Sequence, residues 1–278
     1  MNKTNKTWLI TGCSSGLGRA FAHEVLQKGY NAVVTSRNPK DIQDIVADYS
    51  ATALGLALDV TDKKQIMSVL EQALAKFGRI DVLVNNAGFG YRSAVEEADD
   101  RQVDTLFRTN FFGTVNMLKA VLPTMRRQKA GVIFNVSSIA GRFSNPGSGY
   151  YSATKYAIEG MSDALSKEVA PLGIKVVVIE PGAFRTDFSG RSLTGTPIEI
   201  SDYKETAGKR RKENDHTHST EPGDPQKAAQ AIIKVAESEK TPFHLLLGTD
   251  AINIIGKELE AQIKELEEWK EISLGTDY

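Results

Sequence analysis

Tyr151 and Lys155 are four residues apart, so in a helix they lie one turn apart on one face. A cation beside a phenol favours the phenolate, and Lys155 is therefore expected to lower the Tyr151 pKa from its usual value of about 10. A phenol so tuned serves as a general acid/base near neutrality. Ser138 stands 13 residues before Tyr151, just past an apolar run, and its hydroxyl reaches the same reacting oxygen if the loop folds back. Neighbouring Tyr150 has Thr154 at the corresponding position, so only Tyr151 carries the lysine partner. A second group is the turn Thr11-Gly12-Cys13-Ser14-Ser15-Gly16-Leu17-Gly18, which follows an apolar run and leads straight into a helical pattern. Backbone N–H groups and a helix dipole at such a turn favour an anion, and glycine lets a pyrophosphate come close. The spacing is G-x-x-x-G-x-G, distinct from the usual dinucleotide pattern G-x-G-x-x-G.

These groups need elements to hold them. Strands are expected at Thr7–Thr11, Asn31–Thr35, Ala53–Leu58, Val82–Asn85, Val132–Ser137, Lys175–Glu180 and His244–Leu247. Several are nearly continuous in Val, Ile and Leu, as strands covered on both faces are. Between them run amphipathic segments. Gly16–Lys28 aligns Leu17, Phe21 and Val25, and Lys63–Phe77 aligns Ile66, Val69, Leu70, Ala73 and Phe77. Gly29 and Gly78 stand where helix C-caps are needed. Helices are also expected from Pro225 to about Ser238 and from Ala251 to Ile272. The alternation predicts an α/β fold, a single doubly wound Rossmann-type domain over residues 1–278 with a mostly parallel seven-stranded sheet.

The composition agrees. The 278 residues include 25% charged and 41% hydrophobic side chains, with 23 Gly and 9 Pro, which excludes collagen-like, low-complexity and wholly disordered chains. Lys and Arg total 34 against 35 acidic residues, a net charge of −1, so no basic excess points to nucleic acid. The single cysteine, Cys13, excludes an intramolecular disulfide and a cysteine-based zinc cluster. The segment Met1–Thr7 lacks the apolar core of a signal peptide, and no apolar run is long enough to span a bilayer. A cytoplasmic protein is expected.

One stretch, Asp187–Asp224, shows weak periodicity and no clear strand. A loop of this length is usually functional or disordered. Its first part offers Phe188, Leu193, Pro197 and Ile198 to cover an apolar substrate. Its second part, Lys204–Thr220, includes the run Lys209–Lys212 among carboxylates and is expected to stay solvated. His216 and His218 read as loop polarity, since no third ligand accompanies them, and no metal is expected. Cys13 reads as a thiol buried under a bound cofactor.

The turn Thr11–Gly18 resembles the cofactor turn of the short-chain dehydrogenase/reductase family, and further matches follow in order. They are Asp59, Asn85-Asn86-Ala87-Gly88, Asn110, Ser138, Tyr151-Ser-Ala-Thr-Lys155 and Pro181-Gly182. The phrases Thr11–Gly18 and Pro181–Phe188 are similar to those of its hydroxysteroid/retinol dehydrogenase-like branch. The resemblance implies an oxidoreductase acting on an alcohol/carbonyl pair. Ser138 would hold the carbonyl, Tyr151 transfer the proton, and Lys155 also bind the nicotinamide ribose, while Asn110 holds a water that links the lysine to solvent. It implies a cofactor site made of Gly12, Ser14, Ser15, Gly16, Leu17, Gly18, Ser36, Arg37, Asp59, Val60, Asn86, Ala87, Gly88, Tyr151, Lys155, Pro181, Gly182, Phe184 and Thr186. Asp59 and Val60 would border the adenine.

Ser36 occupies the position where an NAD-specific relative carries an aspartate, and Arg37 offers a planar cation suited to a 2′-phosphate, so NADP(H) is expected over NAD(H). Phe89, Tyr91, Ile139, Phe143, Pro146, Phe184, Phe188 and Leu193 are the expected substrate-pocket residues, largely apolar, which suits a hydrophobic carbonyl compound. The apolar stripe Phe111, Val115, Leu118, Leu122 and Met125, beside Ala157, Met161 and Leu165, suggests a homodimer or homotetramer. Two other functions share parts of this pattern. An NADP(H)-sensing regulatory protein without physiological turnover is one alternative; loss of Tyr151 or Lys155 would favour it, and both are present. A nucleotide-sugar epimerase would have a larger C-terminal region and different glycine spacing.

Overall fold

The computed structural model describes residues 6–186, 192–212 and 220–278. The expected strands form a seven-stranded sheet: β1 (Thr7–Ile10), β2 (Asn31–Ser36), β3 (Ala53–Ala57), β4 (Val82–Asn85), β6 (Gly131–Val136), β7 (Ile174–Pro181) and β9 (His244–Leu247). Their order is β3-β2-β1-β4-β6-β7-β9, and every pairing is parallel. The principal helices are α1 (Gly16–Gln27), α2 (Gln43–Ala47), α3 (Lys63–Phe77), α4 (Asp100–Phe107), α5 (Gly113–Gln128), α6 (Gly149–Val169), α7 (Pro225–Glu237) and α8 (Thr249–Leu274).

Side-chain alternation divides the core between the two faces of the sheet. Trp8 and Ile10 pack on one face with Phe21 and Val25 of α1 and Ile232 of α7. Trp8 stacks on Phe134 there, ring centroids 6.1 Å apart. Leu9 faces the other side, with Ile66 and Val69 of α3, Met117 and Val121 of α5, and Leu165 of α6. The stripe on α5 is thus partly spent inside the molecule: Leu118 and Met125 are buried against this second core, while Phe111, Val115 and Leu122 are half-buried.

Two three-residue strands were not legible in the sequence. β5 (Gly90–Arg92) and β8 (Leu193–Gly195) pair with each other in parallel, outside the main sheet. This corrects the expectation of a strandless segment over Asp187–Asp224 and of a solvated Lys204–Thr220. Residues 201–212 are helical, Ala207 is buried, and Arg211 pairs with the fully buried Glu97 at 3.1 Å. The Ile200 N–H also donates to Glu97 Oε1, at 2.9 Å. A buried carboxylate that collects a guanidinium and backbone donors anchors the segment, so its basic run is not a uniformly solvated face. Phe188, His216 and His218 lie outside the described residues. Among the described residues, no helix is long and apolar enough to cross a membrane.

Because all seven main strands are parallel, the loops that follow them emerge on one edge. Strand order reverses between β1 and β4, and ligands of open α/β sheets bind outside the carboxyl ends of strands at such a point.

Candidate active site

A cleft of about 940 Å³ opens along that edge. It is lined by Gly12, Ser14, Ser15, Gly16 and Leu17 after β1, Ser36 and Arg37 at β2, Asp59 and Val60 after β3, and Asn86, Ala87 and Gly88 after β4. Ser138, Tyr151 and Lys155 line its floor, with Pro181, Gly182, Phe184 and Thr186 after β7.

The glycine turn is locked to the loop after β4. Thr11 Oγ1 donates to Val84 O and accepts from the N–H groups of Asn86 and Ala87, both at 3.0 Å. Asn86 Nδ2 donates to the carbonyls of Thr11 and Gly12, at 2.9 and 3.0 Å. Gly12 has φ +73°, and a Cβ there would meet Ala87 Cα at 2.8 Å, so no other residue fits without movement. Gly18 does not line the cleft. A Cβ on it would meet Gly12 O and Asn86 Nδ2 at 2.3 Å, so its role is to seat α1 against the turn. Ser15, the N-cap residue of α1, makes no side-chain cap hydrogen bond, which leaves first-turn N–H groups to face an anion. The open cradle, the uncapped helix and the long cleft fit a dinucleotide. Cys13 is fully buried in the core behind this turn, and burial pushes its thiol up to about 12, so it is chemically inert.

Asn110 lies in a π-turn, Arg108–Phe112, between α4 and α5. Its Nδ2 donates to Phe89 O at 2.8 Å and its Oδ1 accepts from Phe89 N at 3.0 Å, which fixes the wall that continues from Gly88. The same Nδ2 donates to Thr154 Oγ1 at 3.3 Å, tying that wall to α6. Ser138 caps a short turn at Ile139–Gly141, its Oγ accepting from Ala140 N at 3.1 Å. Ser138 lines the same cleft as Tyr151 and lies near enough to lower its pKa, so the loop does fold back. Tyr150 turns away, its hydroxyl donating to Val95 O at 3.1 Å.

Electrostatics at Tyr151 run opposite to expectation. Burial pushes the phenol up to about 12, against smaller lowering influences from Ser138 and the Arg92 charge. Lys155 Nζ stands 5.6 Å from the ring centroid and donates to Val136 O at 2.8 Å. Burial brings Lys155 itself down to about 8, with Glu159 acting in the other direction. Desolvation of the phenolate therefore outweighs the nearby cations.

Of the expected pocket residues, Phe89, Ile139, Phe143 and Phe184 line the cleft. Tyr91, Pro146 and Leu193 do not. Tyr91 is fully buried, and its hydroxyl accepts from Asp99 N at 3.1 Å; alternation along β5 turns Arg92 to the cleft instead. Arg92, Arg108 and Arg210 are cations lining the cleft that the motifs did not point to. One more group was missed. Glu159, Glu180 and His244 gather behind Lys155, with metal-capable atoms within 4.8 Å of one another. The Arg142 guanidinium already contacts Glu180 Oε1 at 3.4 Å and the His244 ring at 3.2 Å, so this cluster holds its own cation.

The chain belongs to the short chain dehydrogenase family, whose model matches residues 6–195. It is an oxidoreductase of that family. The chain is 39% identical to "Oxidoreductase BOA17" of Botryotinia fuckeliana, over 98% of this chain and 99% of the relative. It is 38% identical to a 3-ketodihydrosphingosine reductase of Bacteroides thetaiotaomicron, over 86% of this chain and 87% of the relative. The crystal structure of a short-chain dehydrogenase from Streptomyces avermitilis superposes with a TM-score of 0.92, covering 100% of both chains at 42% identity.

Proposed function

We propose that this oxidoreductase uses NADP(H) to interconvert a carbonyl and an alcohol on a small, largely apolar molecule, with Tyr151 as general acid/base. Ser138, Tyr151 and Lys155 lining one cleft together carry this reading. The bound dinucleotide supplies or accepts a hydride at the substrate carbon. Tyr151, a neutral phenol well past neutrality, donates its proton to the oxygen as negative charge develops there. Ser138 donates to the same oxygen and orients it. Lys155, held by Val136 O, presents its ammonium to the ribose. Asn110 is a positioning residue, because its amide is engaged with Phe89 and Thr154. A water on the lysine path would use its main-chain carbonyl, which also accepts from Thr114 Oγ1 at 3.1 Å.

Ser36 and Arg37 support NADP(H). Ser36 puts no carboxylate beside the ribose, and Arg37 is exposed at the cleft with no carboxylate partner among the described residues. Phe89, Ile139, Phe143 and Phe184 support an apolar substrate body, and the similarity to a reductase of a ketosphingoid agrees. The test is a screen of ketones and aldehydes that follows NADPH absorbance. Carbonyl-dependent oxidation of NADPH is the expected result; its absence across the screen would sink the assignment, and so would Tyr151-independent turnover of any hit.

Assembly of two or four copies belongs to the same proposal. Phe112 and Tyr156 are exposed near the α5–α6 side, and α8 carries exposed Ile263, Leu266, Trp269 and Ile272. Light scattering is expected to give a mass at least twice that of one chain, with no dissociation on modest dilution. A concentration-independent monomer would count against it.

A further inference from the structure

Among the described residues, arginines that turn inward find carboxylates, and Arg92 does not. Arg211 pairs with Glu97, and Arg142 pairs with Glu180. Arg92 lines the cleft, but its Nη1 donates only to a neutral hydroxyl, Ser148 Oγ, at 2.6 Å. Its Nε is buried without a hydrogen-bond partner, and among the described residues no carboxylate pairs with it. A guanidinium stays charged under all ordinary conditions, and a buried charge without a counter-ion is costly. Burial accordingly pulls the Arg92 pKa down, and Arg210, a second cation on the cleft wall, pulls in the same direction. Glu221 also lines the cleft, but it and Arg210 each have interactions of their own.

The position of Arg92 is fixed from both sides. Its strand pairs with β8 through Arg92 and Gly195, and its carbonyl accepts from Thr196 N at 3.2 Å. Ser148 comes from the residue just before α6, the helix that carries Tyr151. The charge is close enough to Tyr151 to act on its phenol. A preformed cation on the cleft wall near Tyr151, with Phe89, Ile139 and Phe143 also lining the cleft, selects a particular kind of molecule.

We infer that the substrate carries a carboxylate beside its reacting carbonyl, and that Arg92, held by Ser148, binds it. A keto acid or the matching hydroxy acid with an apolar body is the substrate class. This rests on the reading of Tyr151 as proton donor to a carbonyl. A carboxylate accepts two parallel N–H bonds from the planar guanidinium, supplies the missing counter-ion, and orients the carbonyl toward Tyr151.

The test uses keto acids of increasing carbonyl-to-carboxylate spacing, each paired with its methyl ester. Binding is measured by calorimetry on the enzyme loaded with NADP⁺, where no reduction occurs, and turnover is measured separately with NADPH. At least one acid is expected to bind at least about tenfold more tightly than its ester, the lower end for a charge-assisted contact. Arg92→Gln should bring that acid-to-ester ratio close to one, and Arg92→Lys should restore part of it. A merely structural arginine would weaken acid and ester together and leave the ratio intact. Esters that match their acids throughout, or a ratio that survives Arg92→Gln, overturn the inference. Arg92-dependent acid binding without any reduction would instead sink the reductase reading and leave the anion site standing.

Discussion

Tyr151→Phe should lower turnover by at least about a hundredfold, or about 2.7 kcal/mol of barrier, while NADPH affinity changes little. The substitution keeps the ring in its buried place and removes only the hydroxyl. Stopped-flow single turnover separates the chemical step from product release, and fluorescence titration reports NADPH binding. Near-normal turnover in this variant would remove Tyr151 from the proposed chemistry. Ser138→Ala is expected to follow in the same direction with a smaller loss, since Tyr151 alone still delivers the proton.

The two pKa displacements give this site a defined pH response. Tyr151, pushed up to about 12, stays protonated throughout the working range, so the donor itself imposes no limb on the reductive profile. Lys155, brought down to about 8, loses its charge near there, and kcat/KM for reduction should fall as pH rises through that value. A profile flat across this region would separate the lysine charge from catalysis. The sign for folding is different. Between about 8 and 10.5 the unfolded lysine holds a proton that the folded one has lost, so the contribution of this residue to stability rises with pH over that window. Activity and stability are thus expected to move in opposite directions as Lys155 titrates.

Local patterns revealed the elements that hold the cofactor end of the cleft, because the relevant signals are local. A glycine turn between an apolar run and an amphipathic segment needs no knowledge of distant residues, and neither does a Tyr–Lys pair at helical spacing. The strand limits shifted by only a residue or so, as at β2, which runs to Ser36, one past the expected Thr35. The substrate end was hidden because distant pairings build it. β5 and β8 have three residues each and lie about a hundred positions apart, and neither has an apolar run. Arg211 finds Glu97 over a comparable separation, so a charge run that reads as solvated becomes partly a wall. Arg92 takes the place at the cleft expected of Tyr91 because β5 alternates, and nothing near them in the chain announces a strand. The Tyr151 shift was also beyond local reading. A charge at i+4 can be counted along the chain, whereas the loss of water around the phenol depends on the packed loops and helix around it.

Arg37→Ala should weaken NADPH binding by about 10- to 150-fold, the equivalent of one charge-assisted contact of about 1.5–3 kcal/mol, and leave NADH binding nearly unchanged. The discrimination arises because only the 2′-phosphate needs the guanidinium. Adding Ser36→Asp should then reverse the preference, since a carboxylate at the end of β2 accepts from the ribose diol and repels the phosphate. The two steps differ in structural cost. Arg37 is exposed and can be truncated freely. Ser36 is buried, and its Oγ donates to Asn38 O at 2.6 Å, a bond that an aspartate cannot make. The carboxylate would face that carbonyl until the 36–38 turn moves, so the gain in NADH affinity should be smaller than the loss of NADPH affinity. Titration of both dinucleotides against wild type, Arg37→Ala and the double variant resolves these contributions. A wild type that already prefers NADH, or an Arg37→Ala variant that weakens both dinucleotides alike, would show that Arg37 does not read the phosphate. The polarity of the 36–38 turn would then remain as the only basis for choice at this end of the cleft.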